Sequence, residues 1–166
     1  SFILGQIYQK NGNGAAAYAA FEQVLKFQSI FEMDFRASLN LATAGVVSND
    51  ESVRQLDRML KEEKNKEFVD QIYFALAQLA LKNGNQGETI RNLELSLQTS
   101  TRNISQKAES YLQLADLYFA NQSFVKSKLY YDSTLLVLSN LDERYNRVNK
   151  LTSNLAGIAE NIQIIT

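Results

Sequence analysis

The sequence predicts an all-α protein assembled from repeated helix pairs, and three observations carry that prediction. The 166 residues contain no proline and only seven glycines, which suits long helices joined by short turns better than a strand-rich fold. A short motif, a leucine followed by a small residue, returns four times: Leu4-Gly5, Leu41-Ala42, Leu76-Ala77 and Leu114-Ala115. Its small residues stand 37, 35 and 38 positions apart, the spacing of a helical repeat. Finally, apolar residues recur from Leu141 to Ile165 at steps of three and four, as on a long amphipathic helix.

Taken in order, the elements are expected as helices near 1–11, 14–28, 32–47, 50–64, 66–83, 86–100, 104–121 and 123–138, followed by the long last one. Three residues after each small position stands Tyr8, Gly45, Ala80 or Tyr118, and four further comes Gly12, Asn49, Gly84 or Gln122. Glycine or asparagine is the usual residue where a helix stops, so these positions mark the turn inside each pair. Helix starts are read at Asp50-Glu51, Ser105 and Ser123.

The second helix of a pair repeats small, large and small residues: Ala17, Phe21 and the bulkier Val24 in the first, Thr89, Leu93 and Ser96 in the third, Ser127, Tyr131 and Thr134 in the fourth. Two antiparallel helices approach closely only where both present small side chains, and the large residues then fill the space between pairs. The second unit departs from this. It carries Val53, Leu56 and Leu60, with Arg54 at the expected small position and Ser38 where Tyr73 and Tyr111 stand in the later units. A shifted or splayed pair is expected there.

These motifs resemble the tetratricopeptide (TPR) superfamily, whose unit is about 34 residues. The resemblance covers residues 1–138. It implies a right-handed α-solenoid of about four helix pairs (1–31, 32–65, 66–103 and 104–140), with residues 141–166 as a capping or next-repeat helix. It further implies a non-catalytic scaffold that binds proteins or peptides. A narrower likeness lies in Arg144-Tyr145-Asn146-Arg147-Val148-Asn149-Lys150-Leu151-Thr152 through Ile164-Ile165-Thr166. This segment, with the repeats before it, resembles the SprE/PorW family of TPR lipoproteins in the type IX secretion and gliding machinery of Bacteroidetes. That family would place the chain in the periplasm at the outer membrane. The lipid anchor it implies would need a segment upstream of Ser1, because the chain has no cysteine.

In TPR proteins the first helix of each pair lines the binding groove. Carried over by position, the groove candidates are Phe74, Gln78 and Leu81 in the third unit and Leu112, Asp116 and Phe119 in the fourth. The earlier units would add Phe2, Gln6, Gln9 and Lys10, then Leu39, Thr43 and Val46. The carboxylate clamp of chaperone-binding TPRs requires lysine and asparagine at positions that hold Phe, Leu, Gln and Thr here, so a chaperone tail is not the expected ligand. The strip Phe74, Leu112 and Phe119 is expected to be exposed together if an apolar peptide binds.

Composition narrows the remaining classes. Seventeen basic and eighteen acidic residues give a net charge of -1, so no bulk field draws the chain to nucleic acid or anionic lipid. With no cysteine or histidine, disulfides, Cys/His zinc sites and thiol nucleophiles are excluded, and no cofactor is expected. No apolar run approaches the roughly 20 residues of a membrane span. Asn11-Gly12-Asn13-Gly14 follows a helix and precedes no Gly-Lys-Ser/Thr, so it reads as an interhelix turn and not a phosphate loop. The sequons at Asn103 and Asn121 fall at expected turns.

Overall fold

A computed structural model describes the backbone of residues 2–165 and their side chains apart from those of residues 159 and 162–165. The chain forms two compact units, Ser1–Val47 and Ser48–Thr166. Among the described residues there are eight α-helices and no strand, and the helices pack in consecutive pairs within each unit.

The first unit pairs α1 (Phe2–Lys10) with α2 (Gly14–Thr43). The turn between them is built as its sequence requires. Gly12 adopts φ +73°, the left-handed conformation that costs glycine little. The Gly12 N–H then donates to the Gln9 carbonyl (3.2 Å) and the Asn13 N–H to the Tyr8 carbonyl (2.9 Å), which closes a Schellman motif. The Asn13 side chain accepts from the Ala16 N–H at 3.2 Å and caps α2. Gly5 is buried where α1 meets the Phe21 ring, and a Cβ there would lie 2.7 Å from Phe21 Cε1.

Helix α2 corrects the expected boundaries. The separate helices near 14–28 and 32–47 are one helix of 30 residues, since nothing between Phe27 and Phe31 breaks it. It ends earlier than expected, at Thr43, and Gly45 follows at φ +75°. Asn49 is therefore not the turn residue of a pair; it is the first residue of α3 (Asn49–Lys61). The small position Ala42 is buried as expected, but Leu41 beside it is 69% exposed.

The second unit comprises α3, a 3-10 turn (Glu63–Phe68), α4 (Val69–Lys82), α5 (Gln86–Thr99), α6 (Ile104–Ala120), α7 (Phe124–Val137) and α8 (Tyr145–Ile165). Ser48, not Asp50-Glu51, caps α3 by accepting from the Glu51 N–H (3.3 Å). On α3 the buried set is Ser52, Leu56 and Met59, two residues earlier than the position assigned to Arg54. Arg54 points to solvent and pairs with Glu51 at 3.2 Å. The second unit's small-large pattern is thus present, with a displaced register.

Helices α4 to α7 follow the expected repeat closely. Ala77 and Ala115 are fully buried, as are Thr89, Leu93 and Ser96 on α5 and Ser127, Tyr131 and Thr134 on α7. The close approach at Ala115 lets the Ser127 hydroxyl donate to its carbonyl at 2.9 Å. Both turns repeat the one after α1: Gly84 at φ +72° and Gln122 at φ +60°, each with the same bonding. In the first the Asn85 N–H reaches the Ala80 carbonyl, in the second the Ser123 N–H reaches the Tyr118 carbonyl, both at 2.9 Å. Asn103, not Ser105, caps α6, accepting from the Gln106 N–H at 3.1 Å, so its side chain serves the helix start.

Helix α8 begins later than expected. Leu141 is 91% exposed, and the chain turns through Asp142 before the helix starts at Tyr145. Val148 and Leu155 are buried with Leu112, Ala115 and Tyr131, and Leu151 packs against that cluster, so α8 covers α6 and α7. Ile158 is 40% exposed. Ile162 and Ile165 lie outside the described side chains.

Candidate functional site

The residues expected to line a groove divide into a group that converges and two that do not. Leu81 at the end of α4 and Leu112, Gln113, Asp116 and Leu117 on α6 line an open recess of about 480 Å³, whose other wall is Glu109, Arg144 and Arg147. Gln78 joins it through Gln113: the Gln78 side-chain amide donates to Gln113 Oε1, and the Gln113 amide returns the bond at 3.5 Å. Phe74 lies elsewhere. It is half-buried against the core of Ala77, Leu93 and Leu114, which α4, α5 and α6 share. Phe119 stands at the far end of α6 and meets the Phe124 ring edge-on, with centroids 5.7 Å apart.

The strip of Phe74, Leu112 and Phe119 exposed together is therefore not formed. Leu112 is buried in one cluster with Ala115, Tyr131, Val148 and Leu155, so it does not stand exposed beside the two phenylalanines.

The polar wall of the recess is a set of ion pairs joining α6 to the start of α8. Arg144 grips Glu109 with both terminal nitrogens, at 3.0 and 2.7 Å. The same guanidinium donates to Asp142 through Nε and Nη2, both at 2.9 Å, and the Arg144 N–H also bonds Asp142 Oδ1. These bonds, the side-chain ones first and the backbone one next, lower the Asp142 carboxyl to about 2. Bonding to Asp142 and then Glu109 holds the Arg144 charge more firmly than usual. One turn along, the Tyr131 hydroxyl donates to Asp116 Oδ1 at 2.6 Å, and Arg147 approaches the same oxygen at 3.4 Å. Burial, and then the bond to Asp116, push the Tyr131 phenol well above its ordinary range.

No protein-family model matches the chain, and no curated protein matches its sequence.

Chemically, the recess offers an apolar floor, a carboxamide ladder and a rim of paired charges. Such a surface holds a side chain by contact and orients it through hydrogen bonds. Among the described residues no group of three histidine, cysteine, aspartate or glutamate side chains is placed to hold a metal ion, and no helix is long and apolar enough to cross a membrane. Glu109, Gln113, Arg144 and Arg147 escaped the sequence reading. Nothing in the sequence ties Glu109 to an arginine 35 residues away until the α7–α8 turn is known.

Proposed function

We propose that the chain is a non-catalytic protein-binding scaffold of the TPR type, stacked as a right-handed solenoid, that engages a partner through the recess between α4, α6 and α8. The observation that carries the reading is the repetition itself. α4–α5 and α6–α7 bury the same small and large positions and close with the same left-handed turn, 38 residues apart. Helix pairs of this kind present the exposed face of their first helices as a continuous surface, and that face holds Leu81, Gln78, Gln113 and Asp116. A module that grips an apolar peptide segment is the second reading, favoured by the leucines on the recess floor.

The narrower part of the proposal is a place in the periplasmic secretion and gliding machinery of Bacteroidetes. It rests on the resemblance of 144–152 and the preceding repeats alone. The test is affinity capture of the full-length protein from its native organism, followed by mass spectrometry, with wild type compared with Leu81→Glu. A charge placed on the recess floor is expected to remove a specific partner while circular dichroism stays unchanged. An identical set of captured proteins would count against the recess, and a set without secretion components against the narrower placement.

A further inference from the structure

The repeat contains its own control, because the cleft flanking α4 and α5 can be compared with the one flanking α6 and α7. In the later cleft α5 contributes Ile90, Glu94 and Leu97, and α6 contributes Tyr111, Leu114 and Tyr118. The Tyr130 ring of α7 fills it: it stacks on Tyr118, centroids 5.6 Å apart and planes within 2°, and lies 6.3 Å from Tyr111. Ile90, Leu97, Tyr118 and Tyr130 all pack on the buried core there. Burial, and then the nearby Glu94 carboxylate, push the Tyr130 phenol upward.

The earlier cleft has the same walls. By the register of the buried residues, α3 precedes α5 by 37 positions, so Val53, Asp57 and Leu60 stand where Ile90, Glu94 and Leu97 stand. At the 38-residue step, Tyr73 and Leu76 match Tyr111 and Leu114. Both large rings of the later cleft are missing here: Ala80 stands at the position of Tyr118 and Asn92 at that of Tyr130, while Arg91 and Leu95 stand at those of Leu129 and Ser133. The result is a cavity of about 410 Å³ bordered by these residues, in the size range of small-ligand sites. The polar groups differ as well, and the earlier cleft carries the ion pair of Glu88 with Arg91, 3.4 Å apart. Where α7 places Lys126 over the Tyr118 ring at 5.2 Å, α5 places Glu88.

We propose that this cleft is a binding site for an aromatic ring bearing a hydrogen-bond donor, seated beside Tyr73 with its donor toward Asp57 or the Asn92 carboxamide. The ring takes the place that Tyr130 occupies in the next repeat. The site lies apart from the recess and does not depend on the reading given to it. A phenol or indole has the required chemistry, either as a free molecule or as a tyrosine or tryptophan side chain of another polypeptide.

The experiment is an NMR titration of the protein with p-cresol, with 4-methylcyclohexanol as a non-aromatic probe of matching size. Saturable shifts are expected at Val53, Leu60, Tyr73 and Leu95, with affinity in the millimolar range for so small a probe. The cyclohexanol is expected to bind several-fold more weakly. N-acetyl-tyrosinamide separates the sources. Binding at least as tight as p-cresol assigns the site to a polypeptide side chain, and exclusion assigns it to a free ring. Ala80→Tyr with Asn92→Tyr rebuilds the filled cleft, so it is expected to abolish binding and raise Tm. Should that variant not fold, Tyr73→Leu serves in its place and is expected to weaken binding at least five-fold. Absence of saturable shifts in the wild type, or shifts that persist undiminished in a folded variant, would overturn the assignment.

Discussion

Gln122 holds φ +60°, the conformation that Gly12 and Gly84 adopt at the matching turns. A side chain in that region crowds the following carbonyl by about 1–2 kcal/mol, which glycine avoids. Gln122→Gly is therefore expected to stabilise the fold by about 1 kcal/mol, less the flexibility it adds to the unfolded chain, and to raise Tm. Gly84→Ala is expected to lower it by a similar amount. The small residues at the helix contacts act in the opposite sense. Ala77 and Ala115 have no exposed surface, so either one changed to Leu must displace α5 or α7, at about 1–3 kcal/mol, visible as a lower denaturation midpoint. Both classes of residue were legible in the sequence, because a turn glycine and a buried alanine announce themselves by type and spacing. Phe74 was not. Spacing placed it on the binding face, whereas it packs half-buried against the core that α4, α5 and α6 share, so Phe74→Ala is expected to cost about 2 kcal/mol of stability and no specific binding.

At the scale of elements, the attachment of α8 is the feature with the clearest pH dependence. The Asp142 carboxyl is lowered from 3.8 to about 2 by its bonds to Arg144. A carboxyl lowered in the folded state favours folding while it is ionised, so its contribution is complete above about pH 4 and is lost as pH falls toward 2. A carbon-detected NMR titration is expected to give Asp142 a midpoint near 2 in the wild type, moving back toward 3.8 in Arg144→Ala. A midpoint unmoved by that substitution would contradict the assigned cause. The helices themselves were read with uneven success, for physical reasons. α4 to α7 carry their stop signals in Gly84 and Gln122, Asn85 and Asn103 cap α5 and α6 through their side chains, Ser123 takes the position before α7 without a side-chain cap, and the boundaries expected from the sequence lie close to those observed. α2 carries no such signal between Phe27 and Phe31, and a repeat pattern alone divided what the backbone keeps continuous. On α3 the apolar periodicity was visible, but two adjacent registers satisfy it, and only burial of Ser52 and Met59 chooses between them.

At the scale of the molecule, the candidate recess depends on parts far apart in sequence: the end of α4, one face of α6 and the first turn of α8. Gln78, Leu81 and Asp116 could be named from the repeat, because their helix positions follow from Ala77 and Ala115. Arg144 and Arg147 could not, since the turn after α7 has no counterpart in the earlier repeats to position them. That assembly gives the scaffold reading its most direct test, once a partner captured by the full-length protein has been purified. Its affinity should be measured by calorimetry for the wild type, for Leu81→Glu and Arg147→Glu within the recess, and for Gln98→Ala on α5 outside both the recess and the cleft. Both recess variants, folded by circular dichroism, are expected to weaken binding at least tenfold, about 1.4 kcal/mol, while the α5 variant leaves it unchanged. Wild-type affinity in both recess variants would contradict that reading.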